Sequence, residues 1–231
     1  IAKKLFEGHP IKTFYDFKYA GIWSTAEEEE AAKYGCQPGY VKIETVEQFT
    51  TDENGNLVGD GGVHTYSNTR DLQILGSNVP DGILGVNNTF KYRDFDLSVF
   101  AIVRYGQMID SKTIGWYSAN GNNQPRGTNY WTPENQSAYF PRPGIASTTG
   151  IGSLKYIDGS YAKIKNITLG YTFPKKLCKT LGLEQCRLYA TAYNVFVLPF
   201  KSELKHSDPE NNGSDTFPLY KTYLLGLNVS F

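Results

Sequence analysis

Six aromatic residues stand in the polar stretch between Asp110 and Ser160: Trp116, Tyr117, Tyr130, Trp131, Tyr139 and Phe140. Flat rings stack on the apolar faces of sugars and anchor protein interfaces. They also build the small core that a long loop needs to hold its shape. Self-packing is the first reading of these six, and contact with a substrate or a covering protein the second. Within the stretch, YWTPEN (Tyr130–Asn135) reads as a helix start, with Thr132 as N-cap, Pro133 as first helical residue and Glu134 facing the dipole.

Other candidate chemistry is sparser. Asp52, Asn54 and Asn56 have the opening spacing of a calcium loop. The glycine due next is Leu57, and the chelating acid due at the end is Val63. A plain Asn-Gly turn is the first expectation and bound calcium the lesser one. Cys178 and Cys186 flank the Pro174–Glu184 segment. A disulfide there needs Cα atoms within about 7 Å, and free thiols are the competing state. Cys36 has no candidate partner. His9, His64 and His206 lack metal-ligand spacing. No P-loop, G-x-S-x-G or C-x-x-C occurs, and Asp96, Asp208 and Glu210 show no inferable pairing, so no enzyme is indicated. The 23 basic and 23 acidic residues cancel, which argues against a nucleic-acid partner.

The elements that must position these residues are read from period-two alternation. From Phe95 to Ile109 the odd positions run Phe, Leu, Val, Ala, Val, Tyr, Gln, Ile, while the even ones mix charged, hydroxyl and apolar groups. Tyr223, Leu225, Leu227, Val229 and Phe231 repeat the pattern, as do Tyr161–Phe173 and Ile83–Tyr92. Further strands are expected at Ile11–Trp23 and Arg187–Val197, with Ile1–Leu5 as the tail of another. Short turns (Phe6–Pro10, Arg93-Asp94, Pro174–Glu184) alternate with long excursions (Ser24–Gly82, Asp110–Ser160, Leu198–Tyr220). Up-and-down strands place alternate connections at opposite ends, so the long loops share one end. Outer-membrane barrels have this asymmetry.

Aromatic residues sharpen the expectation. Tyr92, Phe95, Tyr171, Phe173 and Phe231 fall at the short-turn end, and Tyr105 and Tyr223 at the other, as two interfacial girdles would. At roughly 3.3 Å per residue and about 40° of tilt, Phe95 to Tyr105 spans roughly 25 Å, the height of a barrel's apolar band. No apolar run approaches the length of a membrane helix. The fold expected is all-β, an antiparallel transmembrane barrel. A soluble β-sandwich also alternates, but its strands are usually about five or six residues long. About seven strands can be counted, fewer than the roughly eight that the smallest barrels need. Together with a start at Ile1 rather than Met, this predicts that residues 1–231 form one segment of a larger barrel.

Several motifs, in order, resemble the C-terminal region of SusC/RagA-type TonB-dependent transporters. They are GHPIKTFYDFKYAGIW (Gly8–Trp23) with an acidic helix after it, RDLQILG (Arg70–Gly76) and YRDFDLSVF (Tyr92–Phe100). YWTPEN, YFPR (Tyr139–Arg142) and DGSYAKIKNITLGYTFP (Asp158–Pro174) follow, then NVF (Asn194–Phe196) and DPE (Asp208–Glu210). The resemblance covers nearly the whole chain. It implies the C-terminal part of a barrel of about twenty-two strands, with its plug domain outside this chain, in a Gram-negative outer membrane.

The resemblance also implies function and partners. Such proteins import oligosaccharides or peptides, energised through TonB, under a SusD-like surface lipoprotein that closes as a lid. Oligosaccharide is the first substrate expected and peptide the second. A carbohydrate-binding module built as a soluble sandwich is the competing reading. Lipid, the rest of the barrel and its plug are the remaining neighbours. Tyr223, Leu225, Leu227, Val229 and Phe231 are expected to form the signal read by the barrel assembly machinery. Arg104, on the expected lumen face, is read first as meeting plug carboxylates and second as lining the pore. The Cys178–Cys186 turn would face the oxidising periplasm.

Overall fold

The structure, a computed structural model, describes residues 5–115, 117, 128–145 and 149–231. In chain order come β1 (Thr13–Ile22), α1 (Glu28–Lys33), β2 (Val41–Glu44), β3 (Phe49–Thr51), β4 (Leu57–Gly59) and β5 (Leu72–Ser77). Next are β6 (Gly82–Tyr92), β7 (Phe95–Tyr105), β8 (Met108–Asp110), α2 (Lys112–Gly115) and β9 (Tyr156–Asp158). Last are β10 (Tyr161–Thr172), α3 (Lys175–Thr180), β11 (Gln185–Pro199) and β12 (Thr222–Ser230). They divide into two compact units, Ile1–Val79 with Met108–Ile157, and Pro80–Gln107 with Asp158–Phe231.

The second unit is one antiparallel sheet of five strands in the order β12-β11-β10-β7-β6. Sequence neighbours are sheet neighbours throughout, as an up-and-down meander requires. Arg93, at φ 53, sits in the two-residue turn that sets Tyr92 opposite Phe95. Opposed residues share a face, so register converts alternation into surface. Phe95, Leu97 and Val99 face Tyr171, Leu169 and Ile167. These in turn face Leu188, Ala190 and Ala192, and then Leu227, Leu225 and Tyr223. On the other side, Phe90 and Tyr92 face Leu97 and Phe95, and only Asn88, opposite Val99, interrupts the apolar surface. Leu225 is 74% exposed and Phe90 60%, where a β-sandwich would bury such residues under a facing sheet. The opposite face carries Asp96, Ser98, Thr168, Arg187, Thr191 and Asn228. Among the described residues, β6 and β12 are edge strands, each with one side unpaired.

Strict alternation along β10 would put Tyr161, Lys163 and Lys165 on the same face as Ile167 and Leu169. A β-bulge prevents this. Ile164 faces Ala101 while Asn166 faces Phe100, which leaves Lys165 as the extra residue. A bulge of this kind shifts the side-chain phase by one residue. Lys163 therefore stands opposite Ile102 and Tyr161 opposite Arg104, on the polar face. The neighbouring strand β11 shifts register at the same level, where Asn194 and Val195 fall between Tyr193, opposite Asn166, and Phe196, opposite Ile164. Asn194 takes the left-handed conformation (φ 52) that asparagine tolerates. Its amide donates to the Tyr220 carbonyl at 3.1 Å.

The first unit has the buried core. Strand β1 lies between β2 and β5. Phe17, Val41 and Ile43 pack together, and Trp23, Ala31, Cys36, Tyr40 and Ile145 form a second cluster. Ser24 begins the acidic helix. Its N–H and its hydroxyl both reach Glu27 Oε2, at 3.0 and 2.8 Å. Lys42 donates to Glu27 at 2.8 Å and lies 4.1 Å from the Trp23 ring. That contact, with the Ser24 amide, lowers the Glu27 carboxyl to about 2.

Three sequence expectations change. The run Phe95–Ile109 is two strands, because Gly106 takes φ 75 and ends β7. The Ser24–Gly82 excursion contains β2 to β5, and β5 pairs with β1. Its short strands lacked a long alternating pattern. The Pro174–Glu184 turn contains α3. Residues 1–4 of the expected first strand lie outside the described residues, and Leu5 is exposed coil.

Candidate functional site

On the polar face of the five-stranded sheet, Arg187 grips Asp96 with Nε at 3.0 Å and Nη2 at 2.6 Å. The two residues are not on neighbouring strands. Strand β10 runs between them, and its residue at that level is Gly170, which faces Asp96 on one side and Tyr189 on the other. A Cβ at Gly170 would collide with both Asp96 and Arg187. The missing side chain is what lets a bidentate ion pair form over an intervening strand. Tyr189 covers Gly226, its direct partner on β12, in the same manner.

Further along the same face, Lys163 Nζ donates to Asp208 Oδ2 and to Glu210 Oε2, both at 2.6 Å, and its side chain is 1% exposed. Lys165 pairs with the other oxygen of Glu210. Asp208 caps the short turn that follows it by accepting from the Glu210 N–H at 3.0 Å. Burial opposes the charge of Glu210, but the bonds from Lys163 and Lys165 hold its carboxyl below the ordinary range. The Asp-Pro-Glu segment thus pins the β11–β12 loop to two lysines. Sequence reading missed these pairings, because the Lys165 bulge hides which face Lys163 occupies. Arg104 stands opposite Tyr161, and among the described residues its Nε and the Tyr161 hydroxyl are buried without a hydrogen-bond partner.

The loop aromatics divide sharply. Tyr117 is buried, stacks on Phe140 at 4.8 Å and 20°, and donates to the Pro141 carbonyl at 2.5 Å. Burial pushes its hydroxyl up to about 12. Trp131 is 3% exposed and packs over Gly39 beside Arg142. Tyr139 donates to the Leu154 carbonyl and rests against Tyr19 and Phe140. Tyr117, Phe140 and Tyr139 thus pack in a row that ends on Tyr19 of β1, and Trp131 packs separately over Gly39. Tyr130 differs, at 44% exposed. It lines an open cleft of about 570 Å³ with Thr25, Glu28, Gln37, Pro133 and Arg142. Arg142 reaches Gln37 Oε1 at 3.3 Å. Trp116 lies outside the described residues. The expected helix at YWTPEN is instead a single turn. Asn135 N–H donates back to the Thr132 carbonyl at 2.9 Å and to its Oγ1 at 3.1 Å, and residues 128–145 hold no helix.

The other sequence candidates are placed as follows. Asp52 folds on itself, its Oδ1 accepting from the N–H groups of Asn54 and Asn56 and its Oδ2 from the Asn56 amide. These bonds lower its pKa. With both oxygens engaged, Leu57 at the glycine position and Val63 at the final ligand position, this donor set does not fit a calcium loop. Cys36, Cys178 and Cys186 are free thiols, and Cys178 is buried. The structure does not join Cys178 to Cys186. At the short-turn end, Phe95 packs on Tyr171 at 4.7 Å and Tyr171 on Phe173 at 5.2 Å, with Tyr92 opposite Phe95. Tyr105 and Tyr223 are not brought together. Tyr223 faces Ala192, on the row that passes through Ile167 to Val99. Leu225, Leu227 and Val229 share the apolar face of β12, and Phe231 follows it, 85% exposed.

The fold and the two-faced sheet define an antiparallel membrane-barrel wall. Comparison with known proteins agrees. No protein-family model matches the sequence. The chain is 27% identical over 241 residues to TonB-dependent receptor P3 of Formosa agariphila, covering 97% of this chain and 22% of that protein. It is 29% identical over 199 residues to TonB-dependent receptor SusC of Bacteroides thetaiotaomicron, covering 80% and 18%. A structure of the RagAB peptide importer in its closed-closed state superposes with a TM-score of 0.65 at 21% identity, over 95% of this chain and 23% of that one. By sequence and fold the chain matches SusC/RagA-type TonB-dependent transporters. It spans about a fifth of the length of these curated relatives.

Proposed function

We propose that this chain supplies the C-terminal wall strands and external loops of a TonB-dependent outer-membrane importer. The single observation that carries the reading is the apolar face that runs across β7, β10, β11 and β12 and continues on β6 with Asn88 as its one interruption there, backed by an ion-paired polar face. Lipid covers the first face, and the barrel lumen with its plug lies against the second. In hydrocarbon an open sheet edge leaves backbone groups unsatisfied, so β6 and β12 take further strands of the same barrel as neighbours. Arg104 then meets a carboxylate of the plug. The terminal strand from Tyr223 to Phe231 serves as the recognition segment for barrel assembly. A SusD-like lipoprotein covers the loops, and TonB acts through parts of the protein outside this chain. The chain itself performs no catalysis.

The cargo proposed is oligosaccharide. Its support rests on Tyr130, whose ring is open beside the polar groups of Arg142, Gln37 and Glu28, an arrangement suited to stacking on a sugar. Peptide is the competing cargo, supported by the structural likeness to a peptide importer. The test is co-purification of the intact transporter with its lid lipoprotein, followed by calorimetry with glycan and peptide pools. Heat from glycans and none from peptides supports the choice. The reverse overturns it.

A further inference from the structure

His64 lies in the first unit between two carboxylates. Its Nδ1 is 2.7 Å from Asp60 Oδ2 and its Nε2 is 2.9 Å from Asp71 Oδ1. Both acids are already tied to backbone. Asp60 Oδ1 accepts from the N–H groups of Gln48 and Gly62, at 2.9 and 2.8 Å. Asp71 is fully buried and accepts from Val46 N–H at 3.1 Å and Ser67 N–H at 2.7 Å. The ring therefore joins the base of the β3–β4 hairpin to the segment just ahead of β5. The hairpin itself presents Phe49, Leu57 and Val58 to solvent.

An ionised carboxylate only accepts hydrogen bonds, and a neutral imidazole has one N–H and one lone pair. A neutral His64 would aim its lone pair at a carboxylate oxygen on one side. Only the imidazolium donates to both. We propose that His64 is a proton-controlled latch that holds the base of the β3–β4 hairpin when protonated and releases one of its two contacts when neutral. The charged groups facing the ring are Asp60, from the turn after β4, and Asp71, from the turn before β5. The segment before β3 offers the Val46 and Gln48 amides, and Thr45 reaches the Gly62 carbonyl at 2.5 Å. Among the described residues no lysine or arginine pairs with either carboxylate. Burial works against the charged ring, yet the two carboxylates raise its pKa overall. The latch is then complete below the ordinary histidine value and is lost as pH rises through the raised one. The inference rests on the loop's own geometry and does not depend on the import reading.

Amide hydrogen exchange across residues 45–71 of the full-length transporter, corrected for the intrinsic pH effect, tests the latch. Protection should fall about tenfold or more between mildly acidic and mildly alkaline pH, the scale of one hydrogen bond to a charged group. His64→Gln should exchange at the fast rate throughout. Asp60→Asn keeps the Oδ1 bonds and replaces Oδ2 with an amide that donates to the neutral ring, so it should stay protected at high pH. Protection in the parent that does not change with pH overturns the proposal. So does an Asp60→Asn variant with the parent's pH dependence, even where His64→Gln fails to fold.

Discussion

Asp96 on β7 and Arg187 on β11 are joined by two hydrogen bonds, at 3.0 and 2.6 Å, across a strand that lies between them. Gly170 on that strand leaves the gap through which they meet. A side chain there forces the pair apart. Gly170→Val is expected to destabilise the barrel by at least as much as Arg187→Ala, about 1.5–3 kcal/mol for hydrogen bonds to charged groups. Thermal unfolding of the full-length protein in detergent measures both. A Gly170→Val protein that melts with the parent contradicts the assignment.

The Lys163 clamp gives a second prediction. Lys163→Met leaves Asp208 without its lysine and Glu210 with only Lys165. Removing one partner of a buried pair costs about 3–5 kcal/mol. The loop from Ser202 to Tyr220 should lose exchange protection, while the Asp96–Arg187 region keeps its own. Replacing all four charged residues by uncharged ones of similar size should be milder than Lys163→Met alone.

The loop aromatics should separate by role. Trp131→Ala removes a buried ring and should cost about 3–5 kcal/mol. Tyr130→Ala changes an exposed ring and should move stability by less than about 0.5 kcal/mol. If the cleft contacts cargo, Tyr130→Ala lowers cargo affinity without changing the melting temperature. Equal melting losses in the two variants contradict this division.

Acid should weaken the loop unit through Glu27. Its carboxyl drops from an ordinary 4.5 to about 2 beside Lys42. A group lowered in the folded state contributes stability above the unfolded value, and that contribution is lost as pH falls through the folded one. Exchange protection around Ser24–Lys33 should therefore decline between pH 4.5 and 2 in the parent. In Glu27→Gln the decline over that window should be smaller.

How much of this was legible in the sequence depends on the length of uninterrupted alternation. Strands β6, β7, β10, β11 and β12 were readable because one face must stay apolar over many residues. The short strands β2 to β5 were not, since runs of three to six residues show too little of a period. Alternation alone does not give the face of Lys163, because the Lys165 bulge shifts the phase and a single extra residue has no signature in one sequence. Gly170 was visible only as an unremarked glycine, and its role needs residues from two other strands. Tyr117 and Trp131 are buried while Tyr130 is open, a division that no feature of the sequence marks. His64 appeared isolated because its partners are defined by turns, not by a spacing motif.

As a barrel wall of the kind proposed, the five-stranded sheet has one lipid face and one lumen face. Spin labels carried by a genetically encoded amino acid, placed one at a time in the full-length protein in lipid nanodiscs, test it most directly. Labels at Ile167, Leu169, Ala190 and Leu225 should be reached by oxygen dissolved in the bilayer and shielded from a water-soluble nickel reagent. Labels at Ser98, Thr168, Thr191 and Asn228 should show low oxygen access. Accessibility that fails to alternate between Thr168 and Leu169, or nickel access at Leu169 and Leu225, would contradict the account.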